Sequence, residues 1–95
     1  MLICRVVGSV VSTAKDRGFV GTKLLMVQPT HGGETLVATD TVGAGVGETV
    51  LVSIGSAARA TEQTKNAPTD ATIVGIVDRI DTPGGGDRRP TKKEK

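Results

Sequence analysis

Apolar residues cluster in five short runs along the chain, each rich in Val, Ile and Leu and each bounded by glycine, proline or charged residues. Runs of this length and composition predict β-strands. The strands predicted in this way cover residues 2–13, 22–28, 35–40, 48–54 and 71–81. Gly8 interrupts the first of them, and a glycine inside a strand favours a bend or a bulge.

The segment between the fourth and fifth strands predicts one short helix, over residues 57–64. Ser56 precedes it as a candidate N-cap, because a serine hydroxyl can accept a hydrogen bond from a free N–H of the first turn. Residues 66–70 break this helix, and Pro83 and Gly84 end the fold. This order of elements predicts a mainly β fold, a small five-stranded OB-like β-barrel with one short helix.

The predicted strands carry apolar side chains on both faces. In the first strand, one face holds Cys4 and Val6, and the other holds Ile3, Val7 and Val11. A barrel has a single interior, and its wetted outside normally carries polar residues. The second apolar face therefore favours a homo-oligomer with extensive contacts, with a monomer of slightly apolar surface as the alternative. A charge introduced at Val7 or Val11 is expected either to prevent assembly or to unfold the barrel.

The basic charge of the chain is concentrated at its C-terminal end. The net charge is +2, but residues 84–95 alone hold five Lys or Arg against two acidic residues. We therefore expect a barrel domain over residues 1–82 and a flexible, Gly-rich basic tail over residues 83–95. No apolar run approaches the ~20 residues that span a membrane. No signal peptide is recognisable and the one cysteine excludes an internal disulfide, so a cytoplasmic protein is expected.

A cluster of three glycines raises the possibility of a phosphate-binding loop: Gly43, Gly45 and Gly47. A dinucleotide-binding fingerprint needs the spacing G-x-G-x-x-G at a turn from a strand into a helix. Here the spacing is G-x-G-x-G, and the residues that follow predict a strand. The cluster therefore indicates a structural role, in which the glycines permit positive φ angles or a close approach of two strands.

Residue types that carry catalysis or bind metals are present, but without a pattern. His31 stands alone in a turn, and Cys4 lies among aliphatic residues without a histidine near it in sequence. Four acidic residues show no spacing that selects a catalytic pair: Asp40, Glu48, Asp70 and Asp78. They are expected to cap turns or to pair with Arg59, Arg79 or Lys65. The sequence predicts no enzyme, no cofactor and no metal site.

Single-stranded nucleic acid is the alternative ligand, because OB-type barrels often bind it. Such proteins combine a basic groove with aromatic side chains on which bases stack. This chain has one aromatic residue, Phe19, and its basic residues are concentrated in the tail. No specific nucleic-acid binding is therefore expected.

Three segments of the chain carry a family resemblance: "RVVGSVVSTAKD" at 5–16, "VATDTVGAGVGETVLVSIGSAAR" at 37–59 and "APTDATIVGIVD" at 67–78. They resemble the pentameric vertex proteins of bacterial microcompartments, which include those of carboxysomes and of ethanolamine- and propanediol-utilising compartments. The resemblance implies an OB-like barrel that assembles as a cyclic pentamer. It also implies a structural role at the vertices of a polyhedral shell, beside hexameric shell proteins.

The resemblance further implies roles for particular residues. The glycine cluster is expected at a crowded subunit junction, and the turn that begins at Gly55 is expected near the five-fold axis or pore; both are alternatively plain barrel turns. The axis residues expected are Gly55, Ser56 and Ala57. The polar residues that match the family pattern are Asp40, Glu48, Arg59 and Asp78.

The chain departs from the family pattern in three places. The turn over residues 29–34 is short, Ala57 stands where a second serine is common, and the tail matches no pattern. The short turn is expected to alter the outer profile of the ring.

Overall fold

The computed structural model describes residues 1–12, 15–19 and 21–83, and the backbone of residues 86–88. In these ranges the chain forms seven strands, namely β1 (Leu2–Val10), β2 (Lys23–Pro29), β3 (Leu36–Asp40), β4 (Thr49–Ile54), β5 (Ala71–Ile76), β6 (Ile80–Thr82) and β7 (Gly86–Arg88). Two short 3₁₀-helices cover Arg17–Phe19 and Gly55–Arg59. The first five strands close into a barrel, which confirms the predicted fold class.

The barrel has the strand order β1-β2-β3-β5-β4, and β4 pairs with β1 to close it. Neighbouring strands are antiparallel except for β3 and β5, which run parallel over a short contact. The register of β1 against β2 shifts between Val6 and Gly8. The bulge predicted at Gly8 is therefore confirmed.

The barrel interior is aliphatic. Alternate residues of the strands point inward, and the packed core consists of Cys4, Val6, Leu25, Val27, Ala38, Ala44, Val50, Val52, Ala71 and Ile73. Each Val, Leu or Ile buried in this way contributes about 1.5–3 kcal/mol to stability. Ala44 belongs to the glycine cluster and not to a strand, so this loop closes one part of the core.

The segment after β4 differs from the predicted helix. The helical residues are Gly55–Arg59 in 3₁₀ geometry, and turns follow them. Ile54 occupies the N-cap position and no side chain caps the helix, so the prediction of Ser56 as N-cap is wrong. The physical reason lies downstream: the hydroxyl of Thr61 accepts a hydrogen bond from the N–H of Thr64, and such local bonds compete with a continuous helix.

The fifth strand ends earlier than predicted. β5 stops at Ile76, and β6 begins at Ile80 and pairs with β7 in a separate two-stranded antiparallel sheet. The backbone therefore continues in regular structure past Pro83 instead of ending there. Residues 84–85 and 89–95 lie outside the described residues, and the division into a barrel and a flexible tail stays a prediction. In the part of the chain that is described, no helix is long and apolar enough to cross a bilayer.

Candidate assembly site

The glycine cluster forms a loop over residues 41–47, called here the glycine loop, which is held by the two acidic residues that flank it. Asp40 lies at the end of β3 with its side chain only 2% exposed. Its Oδ1 accepts a hydrogen bond from the backbone N–H of Val42 at 3.1 Å, and its Oδ2 accepts one from Ala44 at 2.9 Å. A carboxylate that accepts two backbone N–H groups fixes the path of the loop.

Lys23, at the start of β2, adds a third connection to this loop. Its Nζ lies 3.6 Å from Oδ2 of Asp40 and donates a hydrogen bond to the carbonyl of Ala44 at 2.8 Å. The ammonium group therefore partly neutralises the charge of the buried carboxylate and also holds the backbone of the loop. Sequence reasoning missed Lys23, because it is 17 residues from Asp40 and no local pattern relates the two.

Glu48 holds the other end of the glycine loop. Its Oε1 accepts a hydrogen bond from the N–H of Gly45 at 2.8 Å, and its own N–H donates to the carbonyl of Gly45 at 3.1 Å. The N–H of Gly47 donates to the carbonyl of Val6, and the N–H of Val6 donates to the carbonyl of Glu48. The loop is thus bonded to strand β1 as well as to its own flanking residues.

Two glycines constrain the backbone of the loop, and the residues between and beside them differ in exposure. Gly43 and Gly47 have φ angles of 79° and 95°, which disfavour residues with a Cβ. The loop buries Ala44 and leaves Val42 and Val46 exposed by 39% and 64%. A constrained backbone therefore presents two aliphatic side chains to the surroundings.

The turn at Gly55–Arg59 is the second predicted site, and it is fixed by buried threonines. Gly55 has a φ angle of 72°. The carbonyl of Ala58 accepts hydrogen bonds from Oγ1 of Thr64 at 2.8 Å and from Oγ1 of Thr72 at 2.7 Å. Arg59 donates through Nη1 to the carbonyl of Thr69 at 3.0 Å, which fastens the end of the turn.

These threonines are part of a buried polar cluster on the outside of the barrel. Oγ1 of Thr39 donates to Oγ1 of Thr69 at 3.0 Å, and the hydroxyl of Thr69 donates to the carbonyl of Ala71. Thr39 and Thr72 are paired residues of β3 and β5, and the segment after the 3₁₀-helix covers them. Sequence reasoning missed this cluster, because threonine at alternate strand positions normally indicates a wetted face.

The predicted site residues therefore fall into separate groups. Asp40 and Glu48 meet at the glycine loop, whereas Arg59 belongs to the threonine-bound turn. Ser56 and Ala57 are exposed on that turn. Asp78 is exposed between β5 and β6, away from the hydrogen bonds described for either group.

The residues that were considered for catalysis are either exposed, buried in the core or engaged in surface ion pairs. His31 is exposed in a turn, and Cys4 lies in the core, where burial raises the pKa of its thiol. Arg79 pairs with Asp81, and Lys65 pairs with Glu62. Within the described ranges, no group of three or more His, Cys, Asp or Glu residues is placed to hold a metal ion.

An apolar surface lies on the outside of β1, β2 and β3. It consists of Val7, Met26 and Val37, which are 45%, 38% and 50% exposed, and is called here the outer apolar surface. Met26 is paired with Val37 in β3 and with Gly8 in β1, and Val7 precedes Gly8 at the register shift, so the three residues come from adjacent strands. A cavity of about 340 Å³ adjoins this surface, and its lining is Arg5, Val7, Gln28, Pro29 and Thr30.

The fold and these surfaces define a class of protein, namely a small β-barrel with exposed aliphatic side chains on its outside. In its described part, no cluster of catalytic side chains is found. Comparison with known proteins identifies the family. The family model described as ethanolamine utilisation protein EutN/carboxysome matches residues 1–78. The chain belongs to this family, whose curated members include microcompartment and carboxysome shell vertex proteins.

Individual relatives match over most of their length. The bacterial microcompartment shell vertex protein GrpN of Rhodospirillum rubrum strain F11 is 46% identical over 87 residues, which cover 86% of this chain and 98% of GrpN. The solved structure of GrpN, a pentameric microcompartment shell protein, superposes with a TM-score of 0.72 over 87% of this chain and 99% of its own. The structure of CcmL from Gloeobacter violaceus is 39% identical and superposes with a TM-score of 0.83, over 98% of this chain and all (100%) of CcmL.

Proposed function

We propose that this chain forms a homopentameric ring that occupies the vertices of a polyhedral microcompartment shell in the bacterial cytoplasm. Its role is structural, and it catalyses no reaction. The observation that carries the proposal is the near-complete match to shell vertex proteins, one of them solved as a pentamer. These comparisons support the vertex function and not the alternative of single-stranded nucleic-acid binding.

The outer apolar surface is a structural observation that supports the proposed ring. Val7, Met26 and Val37 come from adjacent strands, and a lone subunit exposes all three to water. Neighbouring subunits in a ring would cover such a face, because a head-to-tail contact that closes on itself is the way cyclic oligomers form.

The shell role follows from geometry. A flat layer of hexameric tiles cannot close on itself, and pentagonal units at the vertices supply the missing curvature. The partners we propose outside the ring are therefore hexameric shell proteins. Coexpression with such a protein should give closed particles, whereas the hexameric protein alone should give sheets or tubes.

Native mass spectrometry tests the oligomeric state directly. The proposal expects a complex with five times the 9.7 kDa mass of one chain. The concentration must be measured without absorbance at 280 nm, because the chain has no Trp or Tyr. A stable monomer would contradict the proposal. Salt-dependent oligonucleotide binding that survives deletion of residues 84–95 would favour the nucleic-acid alternative.

We propose further that Gly55, Ser56 and Ala57 lie near the five-fold axis of the ring. The exposed position of Ser56 on a firmly held turn supports this. Ser56→Cys places a thiol on each subunit, and near the axis these thiols should form disulfides between subunits under mild oxidation. Gln63→Cys, on the exposed turn that follows, is the matched control and should remain uncrosslinked.

A further inference from the structure

The turn at Gly55–Arg59, called here the axis turn, is bonded at both ends to residues 61–70, called here the scaffold segment. The first N–H of the turn donates to the carbonyl of Asp70 at 2.9 Å. The last side chain of the turn donates through Nη1 to the carbonyl of Thr69 at 3.0 Å. The place of the axis turn on the barrel therefore depends on the scaffold segment.

The middle of the axis turn is held at one carbonyl group, that of Ala58. Oγ1 of Thr64, in the scaffold segment, donates to it at 2.8 Å, and Oγ1 of Thr72, in β5, donates at 2.7 Å. A carbonyl oxygen has two lone pairs, so the two hydroxyls fill its accepting capacity. All three residues are 0% exposed, and loss of both hydroxyls would leave a buried acceptor without these partners.

The scaffold segment is itself held from two sides. The hydroxyl of Thr69 accepts a hydrogen bond from Thr39 of β3 at 3.0 Å and donates one to the carbonyl of Ala71 at 2.9 Å. On the other side, Gly18 approaches so closely that a Cβ added there would lie 2.6 Å from the carbonyl oxygen of Asn66. The groups that bond the axis turn are therefore fixed relative to the barrel.

We propose that Thr64 and Thr72 are positioning residues for the axis turn, and that their two hydroxyls set the spacing of Ser56 around the five-fold axis. The inference rests on the proposed ring and on the proposed place of this turn near its axis. A ring repeats any shift of the turn in every subunit, so a small movement changes the whole opening. Both threonines act through the carbonyl of Ala58 and not through a neighbouring subunit.

The rate of disulfide formation between Ser56→Cys subunits tests the proposal. Thr64→Val with Thr72→Val removes both hydroxyls and keeps the size of both side chains. We expect this pair of changes to slow the crosslinking by roughly tenfold, because a disulfide needs a Cα separation of about 4.4–6.8 Å. Dividing by the rate at which the introduced thiol reacts with a small soluble disulfide reagent corrects for exposure. The wild type, whose one thiol is the buried Cys4, gives the background.

Two controls separate positioning from a general loss of stability. Thr64→Ser with Thr72→Ser keeps both hydroxyls and should restore the rate of Ser56→Cys alone. Thr39→Val removes a hydroxyl of the same buried cluster that bonds to Thr69 and not to the axis turn, so the rate should stay unchanged. Native mass spectrometry and circular dichroism establish that each variant is a folded pentamer. If the double valine variant does not fold, Thr72→Val alone should still slow the reaction, by a smaller factor.

Two results would overturn the positioning role and leave the ring standing. One is a folded pentamer in which the valine changes leave the crosslinking rate unchanged. The other is equal slowing by Thr39→Val, because the stability of the cluster and not the two bonds would then control the rate. A Ser56→Cys pentamer that does not crosslink would instead overturn the place of the turn near the axis, and this inference with it.

Discussion

Oδ2 of Asp40 lies 2.9 Å from the backbone nitrogen of Ala44, four residues further along, and accepts its hydrogen bond. Ala44 in turn is part of the barrel core, and its carbonyl accepts from Lys23. One buried carboxylate therefore links the shape of the glycine loop to the packing of the barrel. This link explains why an acidic residue and a glycine cluster stand together in the sequence.

Replacing Asp40 should destabilise the chain in a graded way. Asp40→Ala leaves the N–H groups of Val42 and Ala44 without their acceptor, and we expect a loss of about 2–4 kcal/mol in the free energy of unfolding. Asp40→Asn keeps one acceptor oxygen and should cost about half as much. Urea unfolding measures both variants, at one fixed protein concentration because assembly contributes to stability. An Ala variant as stable as the wild type would contradict the role of the carboxylate.

The glycines of the loop should differ in their tolerance of alanine. Gly43 has a φ angle of 79°, so Gly43→Ala forces a Cβ into the left-handed region at a cost of about 1–2 kcal/mol. Gly45 has no such φ angle, and a Cβ there would have Glu48 Oε1 at 3.9 Å as its nearest neighbour. Gly45→Ala is therefore the matched control and should change the urea midpoint little. Equal losses for the two variants would argue against the backbone explanation.

Thr64 and Thr72 should act redundantly on the carbonyl of Ala58. Each hydroxyl donates to that oxygen, so Thr72→Val or Thr64→Val alone leaves it one donor. We expect about 1 kcal/mol for each single change. The double change leaves a buried carbonyl without either hydroxyl, and should cost about 1–2 kcal/mol more than the sum. A double-mutant cycle in urea measures this coupling, and strict additivity would show that the two bonds are independent.

Cys4 should give stability an alkaline pH dependence. Burial raises the pKa of its thiol above the ordinary value of 9.0, so the unfolded chain loses this proton at a lower pH than the folded chain. The contribution is fully present below the unfolded pKa and is lost as the pH rises through the folded pKa. Urea midpoints measured between about pH 8 and about pH 10.5 should fall in the wild type. They should fall less in Cys4→Ala, and identical slopes would contradict the assignment.

Much of the barrel was predictable from local pattern. The runs of Val, Ile and Leu bounded by turn residues located all five barrel strands, and Gly8 marked the bulge in β1 because a glycine there leaves no side chain to pack. The prediction that a strand follows the glycine cluster is confirmed, since β4 begins at Thr49. The predicted helix failed, since Thr61 and Thr64 bond to each other and to nearby backbone in a way that periodicity does not reveal.

The sequence by itself determined where the strands lie, which glycines bend the chain and which family it belongs to, because strand periodicity and turn chemistry are local properties. Tertiary structure decided the parallel contact of β3 with β5, the bond from Lys23 to the glycine loop and the threonine cluster around Ala58. Their decisive bonds join distant residues, since Thr72 and Ala58 are 14 positions apart and Lys23 and Ala44 are 21 apart. They depend on closing the barrel, which brings such groups together and removes the water that would otherwise bind them.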